Sequence, residues 1–344
     1  MKKILTFGLL ILCLIGFANA QLLNNLSYDE VLKLATEEND PNAQNELGYR
    51  LVQGKGVQQD PLKAKEWFEK AAAQGDTGAE FNLGNMYALG IGAPQDYAKA
   101  KEWFEKAAAK NDQVALYNLA DIYKEGKGVT KNLAKAKELF EKLAEQGFAD
   151  AQVRLGNIYF FAEGVSKDLV KALYWYEKAA DQGQAVAQYY LGCMYLVGEG
   201  VELDLTKAVY WFEKAAEQGQ PKAQFNLAKM YEDGEGIEKN LTKALYWYEK
   251  VAEQGNADVQ YYVGDMYFTG EGTKEDHFKA RYWYEKAAAQ GQPEALFNLG
   301  VLYRNGDGGL KKDSKKAIEL FKKGCEAGIQ HEICLKFMNE QNVN

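Results

Sequence analysis

The sequence predicts an all-α repeat fold, a stack of helical hairpins, and three observations carry that prediction. Tryptophan occurs at 67, 103, 175, 211, 247 and 283, so that each interval is 36 residues or twice 36. Leu139 and Leu320 stand in the two empty places, the second after one inserted residue. Within each period apolar residues recur at helical spacing, and no stretch alternates as a half-buried strand does. A period of about 20 to 50 residues belongs to solenoids or propellers and not to one compact core.

The elements follow in order. Lys2 and Lys3 precede an apolar run from Ile4 to Phe17, and Ala18-Asn19-Ala20 supplies small residues before Gln21. Residues 1–20 therefore read as a cleaved secretory signal peptide. The run is short for a bilayer span, and no later segment approaches one. No stable membrane insertion is expected, and the mature chain is placed in the periplasm or secreted. Residues 21–38 form an N-terminal cap helix, opened by Ser27-x-x-Glu30 at the spacing of a capping box. Residues 39–328 hold eight repeats, and 329–344 a C-terminal cap helix and tail.

One repeat reads Ala79, Leu83, Gly84, Tyr87, Gly90, Gly92, Asp96, Lys99, Ala100, Trp103, Phe104, Lys106, Ala107, Ala108. Ala79, Leu83 and Tyr87 form the stripe of a first helix, and Ala100, Trp103, Phe104 and Ala107 the apolar face of a second. Asp60, Asp96, Asn132, Asp168, Asp204, Asn240, Asp276 and Asp313 precede the second helix as N-caps. Pro41, Pro61, Pro221 and Pro293 sit at helix starts. Gly75, Asn111, Gly147, Gly183, Gly219, Gly255, Gly291 and Gly328 end the second helices, where a left-handed residue is needed. Glu66–Lys70, Glu102–Lys106 and Glu138–Lys142 are expected as i,i+4 pairs on a solvated face.

These residues and spacings resemble the Sel-one-like repeat (SLR), a relative of the tetratricopeptide repeat, over about residues 39–328. Ala162 replaces the first loop glycine of the fourth repeat, and Leu51 the tyrosine of the first. The resemblance implies a right-handed α-α superhelix that acts as an adaptor or peptide-binding scaffold. It also implies a disulfide: Cys325 and Cys334 flank the last corner, much as the interhelix bridges of cysteine-rich members do. Cys193 is left unpaired.

Composition and motifs narrow the chemistry. Basic residues number 41 against 49 acidic, a net charge of −8, which gives no footprint for nucleic acid. The chain has three serines, Ser27, Ser166 and Ser314, and two histidines, His277 and His331. His277 falls in an interhelix loop and His331 near the C-terminal cap, each without a ligand partner at i+3 or i+4 and read as solvated. No metal is expected. Some cysteine-rich relatives are linked to β-lactams, but no serine here stands in S-x-x-K. Loops such as Gly126-Lys127-Gly128 lack the G-K-[ST] ending and follow helices, so they are turns and not phosphate cradles. The reading is an exported, non-enzymatic scaffold without cofactor that binds a protein or peptide partner in the bacterial envelope. Alternatives are a secreted factor meeting a host or foreign cell, and binding or hydrolysis of a β-lactam or peptidoglycan fragment. The oligomeric state is not legible.

The partner is expected on the flank of the first helices, which in a stacked solenoid lines the concave groove. At 100° per residue this flank presents Asn82 and Asn85, Asn118 and Asp121, then Arg154 and Asn157. Tyr190, Asn226 and Lys229, Tyr262 and Asp265, and Asn298 continue the ladder. Amides donate to and accept from an extended backbone, and tyrosines add contact area at low entropic cost. The alternative is that the asparagines bond to the next repeat.

Overall fold

The computed structural model describes residues 23–329, and every regular element among them is helical. Helix α1 (Tyr28–Glu37) precedes eight hairpins. Their first helices are α2 (Pro41–Gln53), α4 (Thr77–Leu89), α6 (Gln113–Glu125), α8 (Ala149–Phe160), α10 (Ala185–Val197), α12 (Pro221–Asp233), α14 (Ala257–Thr269) and α16 (Pro293–Asn305). Their second helices are α3 (Pro61–Ala73), α5 (Tyr97–Ala109), α7 (Leu133–Glu145), α9 (Leu169–Asp181), α11 (Leu205–Glu217), α13 (Leu241–Glu253), α15 (His277–Ala289) and α17 (Ser314–Glu326). The chain forms two compact units, Met1–Trp175 and Tyr176–Asn344.

Helix ends obey local chemistry. Ser27 and Glu30 close a capping box on α1. The carboxylate or amide of Asp60, Asp96, Asn132, Asp168, Asp204, Asn240, Asp276 and Asp313 accepts from the backbone N–H three residues on, which satisfies one orphan donor per helix. Asn111 takes a left-handed φ of 64°. Ala162 is also left-handed, at φ 58°, a conformation that costs a residue with a Cβ about 1 kcal/mol.

In unit 1 the core runs through Phe68, Phe104 and Phe140; in unit 2, through Tyr176, Phe212 and Tyr284. Small residues on the first helix bring these rings close. A Cβ added to Gly84 would lie 2.5 Å from Phe104, and one added to Gly192 would lie 2.6 Å from Phe212.

A second contact joins helix ends through buried glutamines. Gln152, Gln188, Gln224 and Gln260 each donate to a carbonyl in the last turn of the preceding second helix: Ala144, Ala180, Ala216 and Ala252. Gln218, Gln254 and Gln290, at the ends of α11, α13 and α15, donate to Gln188, Gln224 and Gln260 at 2.8 Å. In unit 1 Gln74 does the same to Gln44. Repeat 2 changes both partners: Lys110 holds Glu80 at 2.8 Å. Glu80 has no N–H to give Ala72, and its Oε2 is buried without a hydrogen bond among the described residues.

Two expectations need correction. The i,i+4 ion pairs form one residue earlier than expected, as Lys65–Glu69, Lys101–Glu105 and Lys137–Glu141 at 2.5–2.9 Å. Lys70 and Lys106 instead lie over Trp67 and Trp103, 4.1 and 3.8 Å from the ring centroids. His277 is not a solvated loop residue. It opens α15, contacts Asp307 at 2.6 Å and Glu275 at 2.8 Å, and stacks on Phe268. His331 and Cys334 lie outside the described residues, and the expected Cys325–Cys334 bridge with them. Cys193 is a half-buried free thiol.

Three outcomes follow. Ala162→Gly relieves the left-handed strain and raises stability by roughly 0.5–1 kcal/mol in urea denaturation. Glu80→Gln with Lys110→Gln restores the glutamine pair and raises it by about 1 kcal/mol. Its hydrogen bonds to Asp307 and then Glu275 hold His277 above its ordinary value of 6.5, against a smaller opposing effect of burial. Its contribution is thus full below about pH 6.5 and is lost as pH rises through the raised value. The melting-temperature gap between the natural protein and His277→Gln therefore narrows from about pH 6 to pH 9.

Candidate functional site

In unit 1 the first helices α4, α6 and α8 line a half-open groove of about 570 Å³. Its floor is aromatic. Phe81 packs on Phe104 at 5.9 Å, and Tyr117 meets both Phe140 at 5.5 Å and Phe148 at 5.8 Å. The Arg154 guanidinium lies 5.7 Å from the Tyr117 ring centroid, and its Nε donates to Tyr117 Oη at 2.7 Å. Its Nη2 stands 3.7 Å from Asp121. Burial pushes both the Tyr117 phenol and the Asp121 carboxyl up from their ordinary values, while Arg154 pulls both back. Lys127 pairs with Glu125 at one rim of the groove.

Four ladder residues share this groove: Asn85, Asn118, Asp121 and Arg154. The amides of Asn85 and Asn118 are half-buried, and neither makes a hydrogen bond among the described residues. Asn82 turns away. It is 8% exposed and donates to Asn45 of the preceding repeat at 2.9 Å. Asn157 is half-buried on α8 and outside the groove wall.

In unit 2 most of the ladder is engaged with its own protein. Tyr190 stacks on Tyr176 at 5.1 Å. Lys229 pairs with Asp233 at 3.3 Å, while Asn226 is half-buried. Tyr262 donates to the Glu232 carboxylate, which also accepts from Tyr248 at 2.8 Å. Asp265 accepts from Tyr284 at 3.2 Å, and Asn298 donates to the Tyr284 oxygen at 3.3 Å. Burial raises the Tyr248, Tyr262 and Tyr284 phenols further, so they remain protonated donors.

The sequence reading missed the aromatic floor. Phe81, Tyr117, Tyr189, Phe225, Tyr261 and Phe297 hold one position of the first helix, a single residue before the ladder. Each packs on the ring of its own second helix, Phe104, Phe140, Phe212, Tyr248, Tyr284 or Phe321. Aromatics at six of eight equivalent places were the available signal. No group of three or more His, Cys, Asp or Glu suited to a metal occurs among the described residues. None of their helices is long and apolar enough to cross a membrane.

Comparisons with known proteins agree with this architecture. The Sel1 repeat model matches eight times in succession, over residues 41–76, 77–112, 113–148, 149–184, 185–220, 221–256, 257–292 and 293–329. The chain is similar to the crystal structure of c5321, a protective antigen present in uropathogenic Escherichia coli strains displaying an SLR fold. The identity is 38% and the TM-score 0.77, covering 89% of this chain and 65% of that one. The chain thus spans just under two thirds of that antigen's length. A Sel1 repeat protein from Oxalobacter formigenes is similar at 29% identity and a TM-score of 0.70, with 93% of each chain covered. A comparison with curated protein sequences gave no match. With its whole repeat region matched and its hairpins shared with these structures, the chain belongs to the Sel1 repeat family.

Proposed function

We propose that this protein is an exported, non-catalytic scaffold that holds an extended segment of a protein partner in the groove of repeats 2 to 4. The observation that carries this reading is the pair of amides, Asn85 and Asn118, unspent above a floor of Phe81 and Tyr117. Each amide offers a donor and an acceptor to a peptide backbone. The rings beneath supply apolar area that moves little on binding. The basic start, apolar run and small residues of positions 1–20 support export to the periplasm or beyond. Likeness to an Escherichia coli protective antigen favours a second reading, a secreted factor that meets a host or foreign cell through the same groove.

A photo-crosslinker at position 118 in the exporting cell identifies the bound segment. Titration of that peptide onto the natural protein and its variants then tests the site. Asn85→Ala with Asn118→Ala weakens binding by about 1–3 kcal/mol, the cost of unpaired polar groups on the peptide, and leaves the melting temperature nearly unchanged. Asn82→Ala does the reverse, lowering the melt through the lost Asn45 contact while keeping affinity. A double variant that melts several degrees lower yet binds normally would sink the reading. Fractionation into cytoplasm, periplasm and medium, with mass measurement of the N-terminus, tests export and separates the envelope scaffold from the secreted factor.

A further inference from the structure

The second helices of unit 2 carry a surface that the groove does not use. Tyr210 on α11, Tyr246 on α13 and Tyr282 on α15 hold one repeat position, and their exposures are 50%, 50% and 49%. Each ring meets the tryptophan that follows it edge-on, at 4.9, 5.0 and 5.0 Å between centroids. The lysine four residues on, Lys214, Lys250 or Lys286, places its ammonium 5.8, 5.7 or 4.5 Å from the same ring. Packing does not demand tyrosine here. Repeats 1, 2, 3 and 8 have Glu66, Glu102, Glu138 and Glu319 in the same place, and those glutamates stand on helices of the same length and capping.

The charges around the three rings are largely spent within the protein. Glu213 and Glu249 accept from Tyr231 and Tyr267 at 3.1 and 2.7 Å. Lys207 pairs with Asp204 at 3.5 Å and Lys250 with Glu253 at 3.1 Å. What remains for a guest is a set of ring surfaces and the ammonium groups of Lys214 and Lys286. Rungs of one kind, repeated at one position per repeat, are matched by a ligand that itself repeats. A net charge of −8 disfavours a polyanion. The electron-rich face of an aromatic ring suits the polarised C–H face of a sugar, and ammonium donors suit its hydroxyl oxygens. We infer that Tyr210, Tyr246 and Tyr282 form a docking track for an uncharged glycan chain, with sugar units spaced along the chain stacking on the three rings.

The test uses the mature protein with chitohexaose and cellohexaose as probes, read by calorimetry and by the fluorescence of the adjacent tryptophans. Tyr210→Gln, Tyr246→Gln and Tyr282→Gln are combined, since glutamine is the neutral counterpart of the glutamate that other repeats hold there. At least one neutral oligosaccharide is expected to bind. The triple variant should weaken that binding by about tenfold or more, with an unchanged melt. Lys214→Gln with Lys286→Gln should weaken it less, and Asn85→Ala with Asn118→Ala should leave it unchanged. No heat and no fluorescence change with either probe, or equal affinity in the triple variant, would overturn the assignment. So would binding of polygalacturonate or of phosphatidylglycerol vesicles through these tyrosines while both neutral probes fail.

Discussion

The fold depends on a close approach between a small residue of each first helix and an aromatic ring of its second helix. Gly84 faces Phe104, Gly192 faces Phe212, Gly264 faces Tyr284 and Gly300 faces Phe321, with room for no more than a hydrogen before the ring edge. That contact fixes the rotation of the first helix about its own axis. Once position 84 faces the ring, position 83 is buried, position 82 meets the preceding repeat, and position 81 lies beside the ring on the groove side. Position 80 then points to the helix ends, where Lys110 meets it. Repeats 3 and 6 carry Ala120 and Ala228 at this place, both fully buried opposite Phe140 and Tyr248. A methyl group is therefore accommodated where the hairpin is built around it from the start.

Hairpins of 36 residues bury little alone, so the contacts between them matter as much as those within. The glutamine contacts do this with polar atoms. A buried amide that donates to a helix-end carbonyl and accepts from the next helix end leaves few polar groups unpaired. It is also directional, so it fixes register where an apolar contact would allow sliding. Tyrosines add a parallel set: Tyr159 to Glu141, Tyr231 to Glu213 and Tyr267 to Glu249, each at 2.7–3.1 Å and each reaching back to the second helix of the preceding repeat. In repeat 2 both partners of the glutamine contact change together, to Glu80 and Lys110, whereas repeat 3 keeps Gln146 but carries Leu116 in the other place.

Most of the fold was legible because helix starts and stops are local. A short polar side chain before a helix, proline at its first position and glycine or asparagine after it act within a few residues, and the observed caps use them as read. The site was legible only in part. The ladder assumed that the direction toward the groove could be taken from one repeat, at 100° per residue. That direction also depends on how successive repeats are rotated, which no single repeat encodes. An error of one residue is enough to exchange Phe81 for Asn82, a floor residue for one buried against Asn45. The glutamines went unread because a polar residue on an interior face has no periodic apolar signature. The carboxylates that hold His277 were equally hidden, since Asp307 lies 30 residues away in sequence.

In a repeat protein the positions that keep one residue type are explained by packing, because every interior repeat meets similar neighbours. The informative positions are those that change in blocks. Asn85, Asn118, Asp121 and Arg154 line a groove in unit 1, whereas in unit 2 Tyr262 bonds to Glu232 of the preceding first helix, and Asp265 and Asn298 both bond to Tyr284 of α15. The second-helix surface also changes in a block, from Glu66, Glu102 and Glu138 to Tyr174, Tyr210, Tyr246 and Tyr282. Neither change is needed by the hairpin, which closes a small residue, glycine or alanine, on a phenylalanine or tyrosine ring in both units. Requirements of the fold would act on all repeats alike. Differences confined to a run of neighbouring repeats therefore point to something outside the chain that touches that run.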